Sequence, residues 1–161
     1  MEKLTEFVND FVEGVESDLN MLSDTLTQNE IKELMVNGLS NEFPMVSYEY
    51  TPDTSFEVDI DESKFLNDEV HNGAWVMIEN MCLINFMEIN GNVLEIDAFE
   101  MSENYRNSGY ARKILNEIEH VSGQYYEKIK VTPFDDDAQN FWEHFNYKNY
   151  KGYDGLYKEI G

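Results

Sequence analysis

One cysteine, three prolines, three histidines and eleven lysines and arginines are all that these residue classes contribute to 161 positions, and each scarcity excludes something. A single thiol, Cys82, can form neither an intramolecular disulfide nor a thiolate metal cluster, so a reducing compartment, the cytoplasm, is the expected location. Its place in the apolar run 81–89 predicts a buried, inert side chain. His71, His120 and His144 stand far apart and lack a His-x-x-x-His spacing, which leaves no zinc site to expect. No uninterrupted apolar stretch approaches the ~20 residues that span a bilayer. The opening Met1-Glu2-Lys3-Leu4-Thr5-Glu6 also lacks the basic lead and apolar run of a signal peptide. A soluble protein without a membrane partner is predicted.

The shortage of positive charge is uneven. Residues 1–105 hold 24 acids against three lysines, whereas residues 106–161 hold nine acids against eight bases, and the whole chain carries a net charge of -22. Nucleic acid is bound through basic stripes that release its counterions, so direct nucleic-acid binding is excluded. Long-range attraction favours a cation instead: a polyamine, an aminoglycoside, a lysine-rich peptide or a basic protein. Hydrophobic residues at 42% and aromatics at 14% mark a folded protein rather than an acidic tail. The length fits one domain over 1–161 and is too short for two ordinary ones.

Leu4, Phe7, Val8, Phe11, Val12, Val15, Leu19, Leu22 and Leu26 recur at three- and four-residue spacings, predicting one long amphipathic helix. Thr27 and Glu30 have capping-box spacing, so a second helix should start there, turn Ile31, Leu34 and Met35 inward and stop at Gly38. Residues 1–40 thus form an acidic helical N-terminal extension, which could cover a sheet, make a homodimer face or present charge to a partner. Strands are expected over 45–50 and 56–60, a short helix over 62–70, and strands over 75–79, 81–89 and 93–101, the last two joined by an Asn90-Gly91 hairpin. A helix opening near Ser108 should bury Ile114, Leu115, Ile118 and Val121 and end at Gly123. The strand over 126–132 then returns parallel to its predecessor. Asp135 caps a helix with Ala138, Phe141, Trp142 and Phe145 inward, and strands over 147–150 and 155–160 close a mixed α/β fold.

Arg106-Asn107-Ser108-Gly109-Tyr110-Ala111 joins strand and helix, and such a junction is an anion cradle. The first helical amides lack intrahelical partners and sit at the positive end of the macrodipole, Gly109 lets a ligand approach the backbone, and Arg106 adds a cation. Arg112 and Lys113 make this stretch a local exception in an acidic chain. Asp135-Asp136-Asp137 is explained by helix capping and dipole compensation rather than by a metal.

The pattern Arg-x-x-Gly-x-Ala after a strand resembles the acyl-CoA diphosphate loop of the GNAT superfamily of N-acyltransferases. Asp135-Asp136-Asp137-Ala138-Gln139-Asn140-Phe141-Trp142-Glu143-His144-Phe145-Asn146-Tyr147 resembles that family's Asn-x-x-Ala-x-x-Phe-Tyr-x-x-x-Gly-Phe helix, with Asp135, Trp142, Asn146 and Tyr147 replacing four of its signature residues. The resemblance covers about residues 74–161. It implies a mostly antiparallel central sheet with helices on both faces, and acetyl-CoA as co-substrate. It further implies cofactor contacts from Met101, Arg106, Asn107, Ser108, Gly109, Tyr110, Ala111, Arg112 and Asn140. An amine would attack the thioester directly, with no covalent enzyme intermediate. Register with histone acetyltransferase members puts Glu95 in the place of the general base, on the face expected to carry Asp97 and Phe99. Trp142 stands where the family has its tyrosine acid, and indole cannot donate that proton. Tyr147, Tyr150 or Tyr153 could replace it, or the thiolate leaves unaided. The rival readings are an acidic protein of this shape that mimics nucleic acid toward a basic partner, and a pseudoenzyme that keeps coenzyme A as a ligand.

Overall fold

The computed structural model describes residues 2–37, 42–46, 73–150, 152 and 154–160. Among these residues six strands make one sheet in chain order: β1 (Ser23–Leu26), β2 (Ala74–Ile78), β3 (Cys82–Ile89), β4 (Val93–Met101), β5 (Lys128–Val131) and β6 (Leu156–Glu159). Every neighbouring pair is antiparallel except β4 and β5, which run parallel. Between them lies helix α3 (Tyr110–Ser122), as a parallel crossover requires. Asn90 and Gly91 both take positive φ in the turn from β3 to β4, the conformation that Asn-Gly permits with little strain.

The sheet is covered on both faces. Leu4, Phe7, Val8, Phe11 and Val15 of α1 (Glu2–Leu19) share one buried cluster with Ile114, Leu115, Ile118 and Val121 of α3 and with Ile84, Phe86, Leu94, Ile96 and Ile129 of the sheet. Phe7 and Phe11 meet Phe86 edge-on at 5.1 and 5.4 Å. Gly14 lets α1 press against α3, since a Cβ there would fall 2.5 Å from Glu117 Oε1. A second cluster lies on the opposite face, where Ile31 of α2 (Gln28–Asn37), Phe43 and Val46 cover Trp75, Leu83 and Ala98. The capping box forms in both directions: the Glu30 amide donates to Thr27 Oγ1 at 3.1 Å and the Thr27 amide to Glu30 Oε1 at 3.1 Å.

Several expectations are corrected. The first helix does not reach Leu26, because Asn20 takes φ 56° and ends α1 at Leu19; β1 follows, and Leu22 is left 70% exposed. Asn tolerates this left-handed conformation, so a chain can turn there without glycine. Met45 and Val46 are helical rather than extended, following Pro44, whose fixed φ suits a first helical position. The rest of the expected strands over 45–50 and 56–60, the helix over 62–70 and the stop at Gly38 lie outside the described residues. The strand expected over 147–150 is reduced to one bridge, Lys148 to Tyr157. Cys82 is fully buried, and burial with the nearby Glu100 charge pushes its thiol far up, consistent with an inert core position. No helix among the described residues is long and apolar enough to cross a membrane.

Candidate active site

The decisive irregularity lies inside β4. Asn85 faces Ala98 and Phe86 faces Ile96 across the β3–β4 ladder, so Asp97 is an extra residue, a β-bulge that turns the strand over. Leu94 and Ile96, before it, point into the α1–α3 cluster, whereas Ala98, after it, points into the cluster under α2. Glu95 and Phe99 therefore do not share a face, contrary to simple alternation. β5 pairs with β4 only from Val93 to Ile96, opposite Lys128 to Val131. Past the bulge the two parallel strands part.

A cavity of about 590 Å³ fills the gap. Residues 96–101 of β4 form one wall and residues 131–135 the other, with Ala138, Phe141 and Trp142 of α4 (Asp136–His144) and Met45 and Val46 also lining it. Phe99 packs against Phe141 at 6.1 Å and Trp142 at 5.7 Å, which gives the cavity an aromatic side. Asp135 accepts a hydrogen bond from the Ala138 amide at 2.8 Å, so the helix cap expected from the sequence forms and explains the acidic triplet locally. Among the described residues no cluster of metal-ligating side chains occurs.

The expected phosphate turn stands at one end of this cavity. Met101, Arg106, Asn107 and Ala111 line it. Gly109 is the N-cap of α3 with φ 87°; a Cβ there would meet nothing within 4 Å, so the backbone conformation rather than crowding asks for glycine. Having no side chain, it leaves the first helical amides uncapped. Ser108 Oγ turns back to the Tyr105 carbonyl, and the Tyr110 ring stands edge-on to Tyr105. Arg106 is held by its Nε donating to the Met101 carbonyl at 3.2 Å and its Nη2 to Glu100 at 3.3 Å.

Four expected residues lie elsewhere. Arg112 reaches α4 instead, with Nη2 3.2 Å from His144 Nε2 and the guanidinium over the Phe145 ring. Asn140 is exposed on α4 and does not line the cavity. Tyr147 is buried under Trp142 with its hydroxyl donating to Glu119 at 2.9 Å; burial and the Glu119 charge push that phenol far up, and it too is absent from the lining. Glu95 also lies outside the lining, with a carboxylate oxygen 3.7 Å from Lys130 Nζ.

Four carboxylates not singled out as site residues line the cavity: Asp97 on the bulge, Glu100 near the strand end, and Asp135 and Asp137 at the start of α4. Glu100 is 6% exposed, and burial raises its carboxyl above the ordinary range against the lowering effect of the Val46 and Met45 amides and Arg106. Glu100 had a signal in the sequence: counting by twos from Leu94, Ile96 and Ala98 puts a charge on the apolar phase of the strand. For the bulge no residue type gives warning.

The acetyltransferase (GNAT) family model matches residues 35–147. Among solved structures, an acetyltransferase of the GNAT family from Staphylococcus aureus Mu50 is 16% identical, with 86% of this chain and 99% of that one covered at a TM-score of 0.54. A putative N-acetyltransferase from Lactobacillus plantarum is 12% identical over the same shares, also at 0.54. A GNAT family acetyltransferase from Elizabethkingia anophelis, solved with acetyl-CoA bound, is 15% identical over 62% of this chain and 85% of that one, at 0.48. Nothing among curated proteins matches. With 113 consecutive positions under the family model and the sheet parted beside an open helix start, the chain belongs to the GNAT acetyltransferase family.

Proposed function

We propose that the protein transfers an acetyl group from acetyl-CoA to a cationic amine by direct attack. One observation carries the proposal: the gap that opens between β4 and β5 beyond Ile96 ends at the uncapped start of α3, which suits the chemistry of an extended thioester with a diphosphate at one end. The diphosphate would lie on the turn 106–111, with Arg106 beside it. The acetyl carbon would lie near the bulge. There, once the acceptor's ammonium has given one proton to a base, the neutral amine nitrogen bonds the carbonyl carbon, the carbon–sulfur bond breaks, and the second proton of the nitrogen passes through solvent to the departing thiolate.

Asp97 suits that base better than Glu95. It lies on the bulge and lines the cavity, whereas Glu95 stands beside Lys130 outside it. Asp97, Glu100, Asp135 and Asp137 set four acids against Arg106 around one cavity, which favours a cationic acceptor such as a polyamine, an aminoglycoside or a lysine side chain. Of the phenols expected to protonate the thiolate, Tyr153 lies outside the described residues. No tyrosine is among the described lining residues, and Tyr147 is committed to Glu119. That same observation favours a second reading, a pseudoenzyme that binds coenzyme A with little turnover.

Acetyl-CoA at ~100 times its dissociation constant should stabilise the fold by ~2.7 kcal/mol, a rise in melting temperature of roughly 5–10 °C for a chain of this size. Arg106→Glu should abolish the rise. Failure of the wild type to respond would remove the donor site. Release of free thiol with a panel of amines then separates enzyme from pseudoenzyme.

A further inference from the structure

Three polar contacts converge on one buried carboxylate at the end of β4. Glu100 Oε1 accepts from the Val46 amide at 2.8 Å, and Oε2 accepts from the Met45 amide at 3.1 Å and from Arg106 Nη2 at 3.3 Å. All four residues line the cavity, and the partners come from segments about 60 positions apart. Glu100 thus joins the start of the phosphate turn to the wall formed by residues 45–46.

The guanidinium has five N–H donors in a rigid plane. Its Nε–H goes to the Met101 carbonyl and one Nη2–H to Glu100, which leaves three N–H groups for an anion. Arg106 remains 46% exposed on its side chain, so the free edge is reachable. Glu100 therefore fixes the fork without consuming it. A flexible arginine must lose side-chain freedom when it grips a ligand, and one already held loses less.

We propose that Glu100 is a positioning residue for the donor site: its carboxylate, fixed by the Met45 and Val46 amides, pre-orients Arg106 toward the diphosphate. The inference rests on the donor-site reading above. It places a negative charge in service of binding an anion, the opposite of what simple repulsion would give.

A double-mutant cycle on coenzyme A affinity, measured by calorimetry on the full chain, tests it. Glu100→Gln and Arg106→Gln should each weaken binding roughly 10- to 30-fold, the scale of a lost charge-assisted hydrogen bond. The double variant should be no more than about threefold worse than Arg106→Gln alone, because Glu100 acts through Arg106. In turnover, KM for acetyl-CoA should rise in Glu100→Gln, with kcat at saturation within about threefold of wild type. Losses that multiply in the double variant, or tighter binding by Glu100→Gln, overturn the proposal and leave the donor site standing. No binding by the wild type overturns the donor site and this proposal with it. Melting curves check that each variant is folded; if Glu100→Gln is not, the cycle is run with Glu100→Asp, which keeps the charge but is too short to reach both segments and should give the same non-additivity.

Discussion

The two halves of β4 have the same strand conformation and different duties. From Val93 to Ile96 the strand is paired on both sides, with β3 and β5, and its Leu94 and Ile96 side chains are fully or almost fully buried between α1 and α3. Beyond Asp97 it keeps only β3 among the described residues, and what lay against β5 now faces a cavity. One inserted residue separates scaffold from candidate site. A bulge does this at low cost because it reverses the side-chain phase and ends a pairing without ending the strand.

That contrast can be broken from either side. Asp97→Asn should leave the fold intact, with melting unchanged to within about 2 °C, while kcat/KM for the amine acceptor falls ~10³-fold, near 4 kcal/mol of barrier; steady-state kinetics beside a melting curve would show the split. Leu94→Ala, on the paired half and outside the cavity lining, should do the reverse, costing ~3 kcal/mol of stability by urea denaturation and leaving the KM of folded enzyme little changed. The smallest effect belongs to Glu95→Gln. Its carboxylate stands 3.7 Å from Lys130 Nζ outside the cavity lining, and turnover within about twofold of wild type would place the base at the bulge. A loss as large as that of Asp97→Asn would return the role to Glu95.

Much of the scaffold was legible because its signals are local. Periodicity placed β4 at its observed ends, Thr27 and Glu30 announced their reciprocal cap, and Asp135 its single one. Gly109 marked the start of α3, and the buried face of that helix followed from spacing. The errors came from decisions made elsewhere in the chain. Nothing near Leu22 shows that Asn20 will turn left-handed. An alternating strand carries no mark of where a neighbour's register will slip, so Asp97 passed for an ordinary polar residue and Glu95 seemed to share its face. Tyr147 was expected near the chemistry by its place in a motif, yet its hydroxyl satisfies Glu119, which also accepts from Lys158 at 2.8 Å.

Because β5 leaves β4 at Ile96, the sheet contains an edge in its interior, with no strand bonded to residues 97–101 on that side among the described residues. Exposed edges invite foreign peptide chains and promote clumping, and proteins usually blunt or cover them. Here the edge faces a cavity with Phe99, Phe141 and Trp142 along its side. Under the proposed function, an amide-bearing co-substrate lying along that edge would complete the ladder, and the fully bonded sheet would be a joint product of polypeptide and ligand.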